Sequence, residues 1–159
     1  MDIRRADAAD LPAVHAIYAR EALGGHATFD HEPRPMALWE EKLGGEDHFL
    51  VAEHEGQVVG YATSGSFRPK PAYRHTREST VYVAPGHQGL GTGRRLYDAL
   101  LARLTDDGVH LVVAAVALPN PASLALHRAC GFEEVGTMRE VGHKLDRWID
   151  VTWLQKVLD

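Results

Sequence analysis

The stretch Val81-Tyr82-Val83-Ala84-Pro85-Gly86-His87-Gln88-Gly89-Leu90-Gly91-Thr92-Gly93-Arg94-Arg95 constrains this chain more than any other. Thr80 to Val83 is rich in β-formers and reads as a strand. A glycine-rich turn follows Pro85. From about Gly91 to Thr105 the apolar positions Leu96, Leu100, Leu101 and Leu104 then keep the helical period. A strand that passes through glycines straight into a helix aims several backbone N–H groups, and the positive end of the helix, at one spot. That is an anion site, and phosphate is its usual guest. Without β-carbons the glycines let a phosphate approach the main chain, and Arg94 adds a charged donor. The spacing narrows the choice: Gly89-x-Gly91-x-Gly93 fails the dinucleotide pattern G-x-G-x-x-G at Arg94. Gly86-x-x-x-x-Gly91 resembles a P-loop, but Thr92-Gly93 stands where lysine and a hydroxyl residue are needed. On spacing alone, a plain helix-start turn is the competing explanation.

The rest of the chain alternates helical and extended segments. Ile3 and its neighbours read as a first strand; Asp7 or Asp10 then caps a helix with Leu11, Val14, Ile17 and Tyr18 on one face, and Pro12 falls in its first turn. Gly24-Gly25 ends that helix, His26 to Pro35 is a loop, and Met36 to Leu43 is a short second helix closed by Gly44-Gly45. His48 to His54 and Gln57 to Ser66, joined at Glu55-Gly56, carry a hairpin signature. Phe67 to Arg77 is a polar, basic loop. Val109 to Ala117 is nearly all apolar and suits a strand covered on both faces. Asn120 to Cys130 is a helix stopped by Gly131, and Phe132 to Val141 and Ile149 to Leu158 supply two last strands. The expectation is one α/β domain over residues 1–159, with strands in the majority and four helices covering them.

Composition excludes several function classes. Seventeen Lys and Arg against 22 Asp and Glu give −5, which argues against a nucleic-acid binder, since phosphate contacts need a basic surface. The ten histidines are scattered; His31-Glu32 and His54-Glu55 begin like H-E-x-x-H, but Pro35 and Val58 stand where the second histidine belongs, so no metal is expected. No run of about 18 apolar residues suggests a membrane span, and the single cysteine, Cys130, allows no internal disulfide. With an N-terminus that lacks an apolar signal core, the expected compartment is the cytoplasm.

A second signal lies downstream. Asn120, Ser123 or Leu124, and His127 fall along one side of a helix, where an amide, a hydroxyl and an imidazole can hold a polar arm. Spacing alone favours the plainer reading, an Asn120 N-cap with an unrelated surface histidine. Gln88-Gly89-Leu90-Gly91-Thr92-Gly93 after a strand, followed by Asn120 to Phe132 (NPASLALHRACGF), resembles the GNAT superfamily of acetyl-CoA-dependent N-acetyltransferases. Thr28-Phe29 with Pro33, Tyr73 to Val83, and Arg139 to Val151 resemble its phosphinothricin and methionine sulfoximine N-acetyltransferase branch. The resemblance covers nearly the whole chain. It implies a mixed, mostly antiparallel central sheet with a splayed strand pair, flanked by about four helices.

The resemblance also implies roles. The main chain of Val81, Tyr82 and Val83 would pair with the pantetheine arm of acetyl-CoA, and the splay between this strand and Val112 to Val116 would admit the thioester. Gln88, Gly89, Leu90, Gly91, Thr92, Gly93 and Arg94 would take the pyrophosphate, and Asn120 and Ser123 the pantetheine. Glu78 resembles the branch's base for an incoming amine, against the reading of a solvated glutamate at a strand start. His127 stands where many superfamily members carry a tyrosine; it would protonate the departing thiolate or only orient the cosubstrate. Phe29, Tyr73, Arg74 and Thr76 would contact a small amino acid analogue. The positive loop Arg68, Lys70, Arg74, His75 and Arg77 suits an acidic group, with Lys70 and Arg77 read as solvated. Cys130, Trp39, Trp148 and Trp153 read as packing residues, with Trp148 near the site or a subunit contact. A homodimer is implied. The alternatives are acetylation of another amine (an ordinary amino acid, a polyamine or a protein N-terminus) and a non-catalytic CoA-binding sensor, against which Glu78 beside the glycine turn argues.

Overall fold

Seven extended segments, apolar at Phe49–His54, Gln57–Ser66 and Leu111–Ala117 and largely polar at the two edges, pair into one sheet in the computed structural model, which describes residues 1–159. The strands are β1 (Asp2–Arg5), β2 (Phe49–His54), β3 (Gln57–Ser66), β4 (Thr76–Val83), β5 (Leu111–Ala117), β6 (Glu133–Lys144) and β7 (Arg147–Val157). Their order is β1-β2-β3-β4-β5-β7-β6, antiparallel everywhere except between β4 and β5. Four helices cover the sheet: α1 (Leu11–Gly24), α2 (Met36–Gly44), α3 (Thr92–Asp106) and α4 (Pro121–Ala129). The expected architecture is the observed one.

Each face of the sheet has its own core, because strand side chains alternate. On one face Leu96, Tyr97, Leu100 and Leu104 of α3 bury against Leu50, Ala62, Val112 and Leu154 of the strands. On the other, Leu11, Val14 and Tyr18 of α1 and Trp39 of α2 bury against Phe49, Val51 and Tyr61. The apolar period read in α3 is therefore the buried stripe, with Tyr97 as a fifth, polar-tipped member.

The parallel pair sets up the site. Thr76, Arg77 and Glu78 pair with Leu111, Val112 and Val113, and beyond that the two strands share no register. β4 continues along β3 as far as Val83, while β5 continues along β7 as far as Ala117. The Ala84 N–H donates to Val59 O at 2.8 Å. By antiparallel alternation the amides of Tyr82 and Thr80 also point at β3, and those of Val81 and Val83, beyond the last parallel pair, point into the gap.

Two sequence expectations shift. β4 begins at Thr76, so Thr76 and Arg77 belong to the strand rather than the basic loop, and Glu78 lies inside the strand rather than at its start. The last two strands are longer than expected and join at Leu145-Asp146, with φ of 54° and 56°. Both residues at positive φ make a primed hairpin turn, whose twist matches the strands. Leu-Asp carries none of the usual Asn-Gly or Asp-Gly chemistry, so this turn was illegible.

The long hairpin holds the α1–α2 connection in place. Buried Lys144 donates to Glu21 O at 3.0 Å and Thr28 O at 2.9 Å. Bonds from a charged donor contribute about 1.5–3 kcal/mol each, which suffices to fix a loop of this length. A β-carbon on Gly142 would sit 2.3 Å from the Phe29 ring. That ring therefore lies directly on the β6 backbone. Asp7 caps the short turn Ala8–Asp10 before α1. Asp10 leaves the helix end uncapped and binds Arg4 instead, at 2.8 Å through each oxygen.

Candidate active site

The gap between β4 and β5 opens into a cavity of about 1140 Å³ that reaches both faces of the sheet. Glu78, Val81, Tyr82, Val83, the glycine turn, Asn120, Ser123, His127 and Phe29 all line it. Leu90 does not; its side chain is exposed at the tip of the turn. Tyr73, Arg74 and Thr76 also lie outside the lining. Pro71–Tyr73 forms a single 3₁₀ turn that directs Arg74 outward, where its guanidinium donates to Pro71 O at 3.4 Å. Arg77 is tied to Asp47. The cations that do line the cavity are Arg34, Lys42, Arg68 and Arg94, against the acids Glu21 and Glu78.

The glycine turn has the form expected of an anion nest. Gly86, Gly89 and Gly91 have φ of 83°, 75° and 81°, a region in which a β-carbon is strained. Gly91 is the N-cap of α3 and no side chain caps it, so the first-turn N–H groups remain free for a ligand. A β-carbon on Gly93 would meet Leu126 at 2.9 Å, so this glycine is needed for the close approach of α3 and α4. Two side chains are turned away from the nest. Gln88 donates to Val83 O at 3.3 Å, and Arg94 donates to Asp98 at 2.9 Å and to Ala129 O at 2.8 Å.

Asn120 is the N-cap of α4, as the plainer reading had it: its Oδ1 accepts from the Ser123 N–H at 3.1 Å. That bond leaves Nδ2 as a donor on the cavity wall. One side-chain amide is thus compatible with both readings.

His127 is buried, not a surface histidine. Its Nδ1 lies 2.6 Å from Ser123 O and must donate to it; Nε2 then accepts from the Tyr97 hydroxyl at 2.7 Å. The Tyr97 oxygen is 3.0 Å from Ser79 Oγ, which also lies 3.5 Å from Val113 O at the last paired residue of β5. Burial pushes the His127 imidazole below its ordinary value despite the Ser123 carbonyl, and pushes the Tyr97 phenol up. At neutral pH the row is uncharged: Ser79, Tyr97, neutral His127. Ser79 and Tyr97 escaped the sequence reading because no local motif ties a strand serine to a tyrosine 18 residues later.

Glu78 stands on the opposite face, half-buried, with no hydrogen bond from the protein. Desolvation raises its carboxyl above the usual carboxylate range, and the Arg68 cation partly offsets the rise. A carboxylate of raised basicity in a cleft is equipped to accept a proton.

No helix is long and apolar enough to cross a membrane, and no cluster of metal-ligating side chains forms. The family model described as acetyltransferase (GNAT) family matches residues 11–132. Phosphinothricin N-acetyltransferase of Alcaligenes faecalis is 41% identical over 94% of this chain and 79% of its own. The L-methionine sulfoximine/L-methionine sulfone acetyltransferase of Pseudomonas paraeruginosa is 39% identical over 99% of this chain and 94% of its own. The crystal structure of a phosphinothricin acetyltransferase from Sinorhizobium meliloti in complex with AcCoA superposes with a TM-score of 0.94. It shares 36% identity and covers 99% of this chain and 88% of the other.

The electrostatics of Glu78 can be measured directly. In a carboxyl-carbon NMR titration its midpoint is expected above that of the exposed glutamates, and Arg68→Gln should move it higher still. A midpoint among the exposed glutamates, or a downward move in Arg68→Gln, would contradict the assignment.

Proposed function

This chain belongs to the acetyltransferase (GNAT) family, and on that premise we propose that it acetylates the α-amine of a small amino acid analogue. The substrates are of the phosphinothricin, methionine sulfoximine or methionine sulfone type, and transfer is direct. The activity at family level is acetyl-CoA-dependent N-acetyl transfer. The observation that carries the reading is Glu78: an unpartnered, half-buried carboxylate with a raised pKa, in the same cavity as the glycine nest.

The residues present fit acetyl-CoA. The uncapped N–H groups at Gly91 to Arg94 suit its pyrophosphate, Asn120 Nδ2 and the gap-facing amides of β4 suit its amide-bearing arm, and the gap itself suits a thin chain. Bound there, acetyl-CoA supplies an activated acyl group at the splay. Glu78 takes the proton of the incoming ammonium, directly or through a water, because an amine is mostly protonated at neutral pH. The Val81 N–H is the donor placed to stabilise negative charge on an oxygen inside the gap. His127, with Nδ1–H held by Ser123 O and Nε2 by Tyr97, fixes Tyr97 and Ser79 beside the gap; at neutral pH it has no free N–H to give. No side chain is needed as an acyl carrier; Cys130 is buried and lies outside the cavity.

The names of the two relatives support the substrate class. Charge supports it too, since Arg34, Lys42 and Arg68 against Glu21 and Glu78 oppose a polyamine. Phe29 and Arg68 line the cavity on the Glu78 side, and the proposed acceptor contacts Tyr73, Arg74 and Thr76 lie outside that lining. A single domain over residues 1–159 supplies all of these groups. We place the enzyme in the cytoplasm as a homodimer: β6 is an edge strand whose Val135, Met138 and Val141 are exposed, as is Trp148 of β7. Sedimentation at micromolar concentration should give twice the chain mass; a monomer would remove the dimer.

Thiol release from acetyl-CoA tests the reaction, with phosphinothricin, methionine sulfone, methionine sulfoximine, spermidine and a short peptide as acceptors. Turnover on the first three is expected, and Glu78→Gln should lower kcat about a hundredfold or more, the usual worth of a positioned base. Turnover confined to spermidine or peptide overturns the substrate class. An unchanged kcat in Glu78→Gln overturns the base.

A further inference from the structure

Four aromatic rings meet on the Glu78 face of the sheet. Tyr18 and Trp39 contact edge to face with centroids 5.5 Å apart, Trp39 and Tyr61 at 5.6 Å, and Tyr61 stacks on Tyr82 at 5.6 Å. Tyr18 closes the set against Tyr82 at 5.7 Å. Apolar burial explains the rings but not all of their polar atoms. The Tyr18 hydroxyl bonds Thr28 Oγ1 at 2.8 Å and Asp30, and the Tyr82 hydroxyl donates to Ala27 O at 3.1 Å. Tyr61 Oη and Trp39 Nε1 are buried with no protein partner, although each residue is 1% exposed. An unpaired buried polar group costs about 1–3 kcal/mol, and phenylalanine in place of Tyr61 would avoid that cost.

Both residues line the cavity that holds Glu78. Tyr61 and Thr63 of β3 stand opposite Tyr82 and Thr80 of β4, on the same face as Glu78. Gly65 stands opposite Glu78, so at about 3.4 Å per residue Tyr61 lies some 14 Å along β3 from the level of the base, a span that the Glu78 side chain, the amine and a four- or five-atom side chain cover together. An indole N–H can only donate, and burial holds the Tyr61 phenol far above its ordinary value, so its proton stays on. Two cations stand beside the rings: Arg34 lies over Tyr18 and Trp39 at 4.8 Å and 4.9 Å and is 3.8 Å from Asp30, and Lys42, one turn from Trp39 on α2, is 3.6 Å from Asp47. Donors converge here, and a ligand group rich in lone pairs is what they lack.

We propose that Tyr61 Oη and Trp39 Nε1 form the specificity subsite for the tip of the acceptor's side chain, donating to a sulfonyl or phosphinyl oxygen. The inference rests on the amino acid reading above and adds the residues that distinguish an oxygen-tipped substrate from a plain thioether. Trp39, which the sequence presents as a packing residue, has both roles: its ring packs and its N–H is kept for the ligand.

The test compares methionine sulfone with methionine, which share an α-carboxylate and differ only in the two oxygens. Tyr61→Phe should raise KM for the sulfone about tenfold, the worth of roughly one well-placed hydrogen bond. It should leave KM for methionine unchanged and raise the denaturation midpoint of the free enzyme, because the unpaired hydroxyl is removed. Equal rises for both substrates would assign the hydroxyl to the carboxylate and overturn the proposal, as would no rise for either. A readout independent of turnover is the indole ¹⁵N–H resonance of Trp39, assigned among three tryptophans by its loss in Trp39→Phe. Methionine sulfone, added with CoA, should shift it downfield and methionine should not. If the enzyme acetylates neither compound, the amino acid reading falls on the thiol assay, while a resonance unmoved by the sulfone separately removes the subsite.

Discussion

Three residue pairs of parallel ladder, Thr76 to Glu78 against Leu111 to Val113, hold the two halves of the sheet together, and the site exists because the ladder stops there. Each strand beyond that point is still fully paired on its other side, β4 with β3 and β5 with β7. The gap therefore costs the fold little. What it leaves open is a row of strand amides with no strand to receive them. Unpaired backbone N–H groups in an interior are expensive unless a partner comes from elsewhere. Under the proposed function that partner is a ligand with carbonyls of its own.

The two faces of the sheet then divide the work. The α3–α4 face carries the glycine turn, the Asn120 cap and the neutral row Ser79, Tyr97 and His127. The α1–α2 face carries Glu78, the four-ring box and the pocket cations Arg34, Lys42 and Arg68. A carboxylate on one side and an uncharged, fully hydrogen-bonded row on the other give the gap two different protonic environments. Lys144 and Gly142 extend this arrangement to Phe29, which is held by the far hairpin rather than by its own loop.

The glycine turn, the Asn120 helix and the order of strands and helices were legible because each rests on local chemistry: β-branched residues, glycine freedom, an N-cap, a helical period. Glu78 was placed by resemblance, and its position within the strand was not, since three polar residues at Thr76 to Glu78 look like loop until Leu111 to Val113 pair with them. Arg74 drew attention as the charge in a basic loop, yet a one-turn 3₁₀ segment faces it outward, and Arg34 and Lys42 from the α1–α2 region line the pocket instead. In the sequence His127 reads as a surface histidine or a proton donor, with nothing to show that both ring nitrogens are engaged. Its partner, Tyr97, carries no signal beside the leucines of α3, and only tertiary packing brings the two together. Tyr61 and Trp39 were invisible as functional groups for the same reason: an unpaired atom is a property of the packed core, not of the sequence.

Amide hydrogen exchange at Val81 and Val83, with and without acetyl-CoA, tests most directly that the gap is the seat of the acyl donor. These two N–H groups point into the gap, whereas those of Thr80 and Tyr82 are already bonded to β3. Acetyl-CoA should slow exchange at Val81 and Val83 by more than it slows the β1–β2 amides, which report global stabilisation alone. Equal slowing throughout the sheet, or none at Val81 and Val83 under saturating acetyl-CoA, would contradict the account.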